Sequence, residues 1–152
     1  MAEMEPVIHG SDKLTNIFGY WLTFPDAEVI EIHFWRGDID TDNNKYVFPV
    51  LTAKLLLWEM TPEVNSSGYL GRHRHTVARL RFYDIDGFKM EGFNHQNAIL
   101  ALRLTSQERS EGPSPLFDVQ FEPAFGMGTT FTCSRIAVMD AVPCTENGSG
   151  IS

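Results

Sequence analysis

Cysteine is scarce in this chain, with two in 152 residues, too few for a disulfide framework. Cys133 falls in a strand-like run and Cys144 in a polar tail, so both are expected as free thiols in a reducing compartment. Basic residues are outnumbered, 12 against 20 acids, for a formal net charge of −8. A field of that sign repels nucleic acid and anionic membrane and favours basic partners, although solubility alone also accounts for it. No apolar run approaches the length of a bilayer span. The N-terminus, Met1-Ala2-Glu3-Met4-Glu5-Pro6, is acidic and lacks an apolar core, so a cytoplasmic protein without a signal peptide is expected. The motifs of nucleophilic, phosphate-binding and zinc chemistry are missing too: there is no Gly-x-Ser-x-Gly elbow, Gly-rich phosphate loop or His-Glu-x-x-His.

What the chain does have is large apolar side chains. Hydrophobic residues make up 43%, with eleven Phe, four Tyr and three Trp, which excludes a disordered chain. The length fits one domain, taken as residues 1–142 with a disordered tail at 143–152. Ser11 is placed to cap a short helix whose Leu14, Ile17 and Phe18 share a face, and Gly19 to stop it. Period-2 alternation then marks strands. Ile30, Ile32 and Phe34 lie opposite Glu31, His33 and Trp35; Leu51, Ala53, Leu55 and Leu57 share a face; so do Ala78, Leu80 and Phe82. Asp86-Gly87 reads as a hairpin turn into a partner strand at 88–92. Further strands follow at 99–105, with Leu100, Leu102 and Leu104 on one side, at 116–122 with Phe117, Val119 and Phe121 inward, and at 129–139. About seven strands with turn signals between them, and no βαβ rhythm, predict a mainly β protein (α+β). Its sheet is expected to be largely antiparallel, a sandwich or curled half-barrel with one short N-terminal helix.

Few constellations carry chemistry. Asp38, Asp40 and Asp42 open like an EF-hand loop, but Asn43 stands at the sixth position and Pro49 at the twelfth, so an acidic turn is the better reading. His73 and Arg72, Arg74, Arg79 and Arg81 crowd the segment around His75; the arginines disfavour a cation there. Arg79, Arg81 and Tyr83 share a strand face, more in keeping with a solvated face opposite carboxylates than with an RNA surface. Cys133 has the strand parity of Phe131, which predicts a buried, inert thiol. The most specified stretch is Phe93-Asn94-His95-Gln96-Asn97. With Asp26, it offers the residues of a small-ligand or hydrolytic pocket around His95. As a corner between strands, Phe93 would plug the core while Asn94, His95, Gln96 and Asn97 bond backbone groups the corner leaves unpaired.

Three segments resemble one known family. Phe18-Gly19-Tyr20-Trp21-Leu22-Thr23-Phe24-Pro25-Asp26-Ala27-Glu28-Val29 resembles the opening of the bacterial immunity-protein-50 family. Leu80-Arg81-Phe82 with Glu91-Gly92-Phe93-Asn94-His95-Gln96-Asn97 resembles its central signature, and Phe131-x-Cys133 its closing strand. Pro25 stands where the family usually has His. The resemblance covers about residues 8–140 and implies an antitoxin of a bacterial polymorphic toxin system, binding a cognate protein toxin by steric block, with no catalysis and no cofactor. Such a toxin is expected to be basic, and the immunity protein a monomer or homodimer. From charge and strand parity, Asp26, Glu28, Trp35, Asp38, Asp40 and Asp42 are the expected contacts, with Trp35 as the aromatic anchor.

Overall fold

Alternating apolar residues can bury only one side of a strand, so strands of this kind must pair into sheets and press those sides together. The computed structural model, which describes residues 8–21, 24, 27–64, 70–107 and 116–144, shows this arrangement. Its elements run β1 (Ile8–His9), α1 (Asp12–Phe18), β2 (Glu28–Trp35), β3 (Asp38–Asp40), β4 (Lys45–Val47), β5 (Val50–Val64) and β6 (Leu70–Tyr83). They continue through β7 (Asp86–Glu91), β8 (Ile99–Gln107), β9 (Leu116–Pro123), β10 (Gly128–Cys133) and β11 (Arg135–Pro143). One sheet has the order β1-β11-β6-β5-β2, a second β7-β10-β9-β8, and β3 and β4 form a separate two-stranded ribbon. Among the described residues, all pairings are antiparallel except β1 with β11. The fold is thus mainly β, with antiparallel sheets not closed into a barrel. Among the described residues no helix is long and apolar enough to cross a membrane.

The core lies between the two sheets. Leu51, Ala53, Leu55 and Leu57 of β5 and Ala78, Leu80 and Phe82 of β6 are buried from one side; Phe117, Val119 and Phe121 of β9 and Phe131 and Cys133 of β10 from the other. Phe82 reaches across to Phe131 and Phe121, with ring centroids 5.2 and 6.0 Å apart in edge-on geometry. Helix α1 lays Leu14 and Phe18 on this core, and Gly19 ends it at φ 86°, its N–H donating to the Thr15 carbonyl. Ser11 gives no side-chain cap; its own backbone is helical.

Several expectations are corrected. Asp86-Gly87 does not close a hairpin: β6 stops at Tyr83, and β7 pairs with β10 of the other sheet. Asp84, at φ 59°, turns the chain, Ile85 buries itself, and the Ile85 N–H donates to the Pro49 carbonyl. The predicted strand at 129–139 is likewise two strands, because Ser134 crosses between sheets, its N–H donating to the Tyr83 carbonyl. The two crossings sit side by side, joined by a hydrogen bond from Ser134 to the Asp84 carboxylate. The acidic turn expected at Asp38, Asp40 and Asp42 is part of the ribbon, with Asp38 and Asp40 on β3 and Asp42 in the turn between its strands. Register shifts interrupt several pairings, and at Ile30, Leu100 and Met139 one strand carries an extra residue relative to its partner. A bulge of this kind reverses the parity of the residues beyond it, so Ile30 and Leu100 leave the inner faces to which alternation assigns them. The inner positions are Val29, Ile32, Ile99 and Leu102. Pro143 is the last residue of β11 and Cys144 is buried, its N–H on the His75 carbonyl. The rest of the predicted tail, residues 145–152, lies outside the described residues, as do Pro25 and Asp26.

Candidate functional site

The stretch after β7 is a corner without a ladder of its own, so its backbone groups need other partners. Gly92 leaves β7 at φ 74°. Asn94 then folds over itself: its side-chain oxygen accepts from the Gln96 N–H at 2.7 Å and its amide donates to the Gly92 carbonyl at 3.2 Å. Asn97 is the pivot. It is 3% exposed, and its Oδ1 accepts from the backbone N–H of Asn94 (2.8 Å) and of Met127 (3.3 Å). Its Nδ2 donates to the carbonyls of Asn94 (2.6 Å) and Val29 (3.3 Å). The Asn97 N–H donates to the Glu28 carboxylate at 2.9 Å, the Val29 N–H returns a bond to the Asn97 carbonyl, and the Ile99 N–H donates to the Ala27 carbonyl. An isolated antiparallel bridge pairs Glu28 with Ala98. The corner therefore fastens edge strand β2 of one sheet to edge strand β8 of the other.

Phe93 does not plug the core. It is 43% exposed, because the corner's demand is for an amide that both donates and accepts, and Asn97 fills that place. His95 and Gln96 are also exposed. Two shallow depressions lie on the outer sheet faces, one of about 540 Å³ bounded by Glu31, His33, Lys54, Arg79 and Asp140, the other of about 430 Å³ bounded by Lys89, Arg103 and Asp118. Neither is lined by Asn94, His95 or Gln96, and among the described residues no three His, Cys, Asp or Glu side chains gather to hold a metal. Arg79 pairs with the Asp140 carboxylate of β11, and Arg81 Nε donates to the Thr52 hydroxyl at 3.1 Å, as a solvated sheet face would.

Among the described residues, several in the three segments of family resemblance serve packing. Glu28 and Val29 meet Asn97, and Ala27 meets Ile99; Leu80 and Phe82 are core; Phe131 and Cys133 form the inner side of β10. Burial pushes the Cys133 thiol up to about 12, against an ordinary 9.0. Cys133 should accordingly resist iodoacetamide at pH 8 in the native protein and react only in denaturant, as mass spectrometry of the labelled peptide will show. Because the unfolded thiol releases its proton near pH 9 while the folded one holds it to about 12, stability should also fall as pH rises through that window.

Asp26 lies outside the described residues, and the other five expected contact residues do not gather in one place. Glu28 begins β2, half-buried and engaged with Asn97, whereas Trp35 ends it, roughly 23 Å away along the strand. Trp35, Asp38, Asp40 and Asp42 share that far end. The Asp38 carboxylate accepts from the Ile39 N–H, and Asp40 holds the side chain and N–H of Asn43. The Asn43 bonds keep the Asp40 carboxyl below its usual range. Asp42 stands exposed in the turn.

Reading for charge alone missed the apolar residues among these acids. Ile39 pairs with Tyr46 across the ribbon, and Val47 and Phe48 come next in the chain. Ile39, Tyr46, Val47 and Phe48 are 55, 54, 49 and 60% exposed, beside Trp35 at 45%. The signal was present as an apolar residue between aspartates, a Thr-Asp-Asn-Asn turn, then Lys-Tyr-Val, a hairpin pattern.

Among known proteins, the family described as Immunity protein 50 has a model that matches residues 10–143. No curated protein and no solved structure matches the chain.

Proposed function

We propose that this chain, which belongs to the immunity protein 50 family, binds and neutralises a cognate protein toxin of a bacterial polymorphic toxin system. The family match over most of the chain carries this reading. The family implies a non-enzymatic role, and the geometry is in keeping with it: in the histidine-bearing corner, Asn97 is engaged in joining two sheets and His95 lines neither of the outer-face depressions. The protein acts by covering its toxin rather than by altering it. Its charge of −8 favours rapid encounter with a basic toxin and discriminates against acidic bystanders. Action in the cytoplasm of the producing cell accords with two buried free thiols.

The test is co-expression with the C-terminal domain of the toxin encoded beside this chain. Cells carrying both should grow as well as cells without toxin, and the two proteins should co-purify at a fixed ratio. Undiminished killing, with this chain present as folded protein, would refute the reading.

A further inference from the structure

We infer that the β3–β4 ribbon, with Trp35 at its foot, is the arm by which this protein grips its partner, inserting Ile39, Tyr46 and Phe48 into an apolar groove on a basic protein surface. The inference rests on the immunity reading for the identity of that partner, and on the ribbon for its location.

A two-stranded ribbon that joins neither sheet is marginal in water and presents open edges. This one also carries large apolar side chains into solvent. From their fractional exposures, Trp35, Ile39, Tyr46, Val47 and Phe48 together expose on the order of 500 Å² of residue surface, and the register pair Ile39 and Tyr46 shares one face of the ribbon. Its shape is nevertheless fixed. Gly37 is buried at φ 88°, and a Cβ there would lie 1.9 Å from the Val47 carbonyl oxygen, so the arm is seated against its own base. Asp40 ties the turn through Asn43. At the base, Phe34 of β2 packs at a tilt against Phe88 with centroids 4.6 Å apart, tying the strand that leads into the arm to the second sheet. A pre-shaped arm with exposed aromatic residues loses little freedom on binding, the property that makes such residues interface anchors.

Charge selects the occupant. Asp38 and Asp42 are exposed around the apolar residues, with Arg36 and Lys45 the nearby cations. Two copies meeting through this end would bring the same aspartates together on chains that each carry −8, which opposes a self-paired arm and favours a basic partner.

Binding of the adjacent gene's C-terminal toxin domain, measured by calorimetry against wild type and variants, tests this. Tyr46→Ser and Phe48→Ser should each weaken binding by at least about 30-fold, the mark of an interface anchor. Phe125→Ser, at an equally exposed ring on the turn before β10, should change it less than about threefold. Thermal melting of each variant should stay close to wild type, and Ile39→Thr, which keeps strand propensity, repeats the test if a serine variant unfolds. Asp38→Asn with Asp42→Asn should slow association at low salt, with the difference closing at high salt. If wild type binds and the ribbon variants bind as well, the arm is wrong and the immunity reading stands. If wild type neither binds nor protects, that reading fails and takes the partner with it. If wild type is a dimer that Phe48→Ser splits, a second copy occupies the arm and the proposal is overturned.

Discussion

Asn97→Ala should destabilise the protein by about 3 kcal/mol, read as a shift of the urea midpoint with unchanged slope. The truncation leaves two N–H groups, of Asn94 and Met127, and two carbonyls, of Asn94 and Val29, without the partner they now have. An unsatisfied buried group costs about 1–3 kcal/mol, and partial relaxation of an edge corner keeps the total below the sum. Against a whole-protein stability of about 5–15 kcal/mol this is a large share. Asn97→Asp should be worse at neutral pH despite its identical shape. It keeps the acceptor but loses both donations, and it places a second carboxylate in a buried site beside Glu28, whose own carboxylate already holds the Asn97 N–H. Both effects raise the new group's folded-state pKa above its unfolded value of about 3.9. The part of its penalty that comes from ionisation is therefore absent below that value, where the carboxyl is neutral in both states, and grows as pH rises toward the folded-state pKa. Relative to wild type, the aspartate variant should recover on acidification while the alanine variant should not. If Asn97→Ala costs under about 1 kcal/mol, the corner is not what joins the sheets.

Which parts of the chain were legible depends on the physical quantity each signal measures. Alternation measures burial on one side of a strand. It located Leu51 to Leu57, Ala78 to Phe82 and Phe117 to Phe121 because those runs are uninterrupted on the core side. It failed at Ile30 and Leu100, since a bulge is a property of two strands in register and a single strand does not reveal it. Asp86-Gly87 reports a local turn, and Gly87 does sit at φ 65°. What the dipeptide does not report is the pairing, which goes with where Phe88 packs, beside Phe131 of its own sheet and against Phe34 of the opposite one.

The corner shows the same limit in sharper form. Hydrophobicity ranks Phe93 as the buried member of its stretch and Asn97 as a surface residue. The ranking inverts because a chain passing between two sheets leaves backbone groups of both kinds unpaired, and burying them requires a side chain that donates and accepts. At the ribbon, charge drew attention to Asp38, Asp40 and Asp42, whereas one of these carboxylates is occupied by Asn43. The larger resource there is apolar.

Gly126→Ala should cost as much as losing Asn97, about 3 kcal/mol or more, and for a separable reason. Gly126 lies at φ 76°, where an L side chain is strained by about 1–2 kcal/mol. A Cβ there would also meet the Gln96 carbonyl oxygen at 2.2 Å and Asn97 Oδ1 at 2.7 Å. Gly87→Ala is the control, with φ at 65° but nothing within 4 Å of the added carbon, so it should show the conformational cost alone. The excess of Gly126→Ala over Gly87→Ala in urea unfolding then measures how rigidly the corner is held. Since the clash is with the corner itself, Gly126→Ala and Asn97→Ala should not add: once Asn97 no longer pins the segment, the Gln96 carbonyl can retreat and the second substitution should cost less than it does alone. Strict additivity, or equal costs at positions 126 and 87, would mean that the corner already yields, and that the join between the two sheets is carried by the Glu28–Ala98 bridge rather than by the Asn97 side chain.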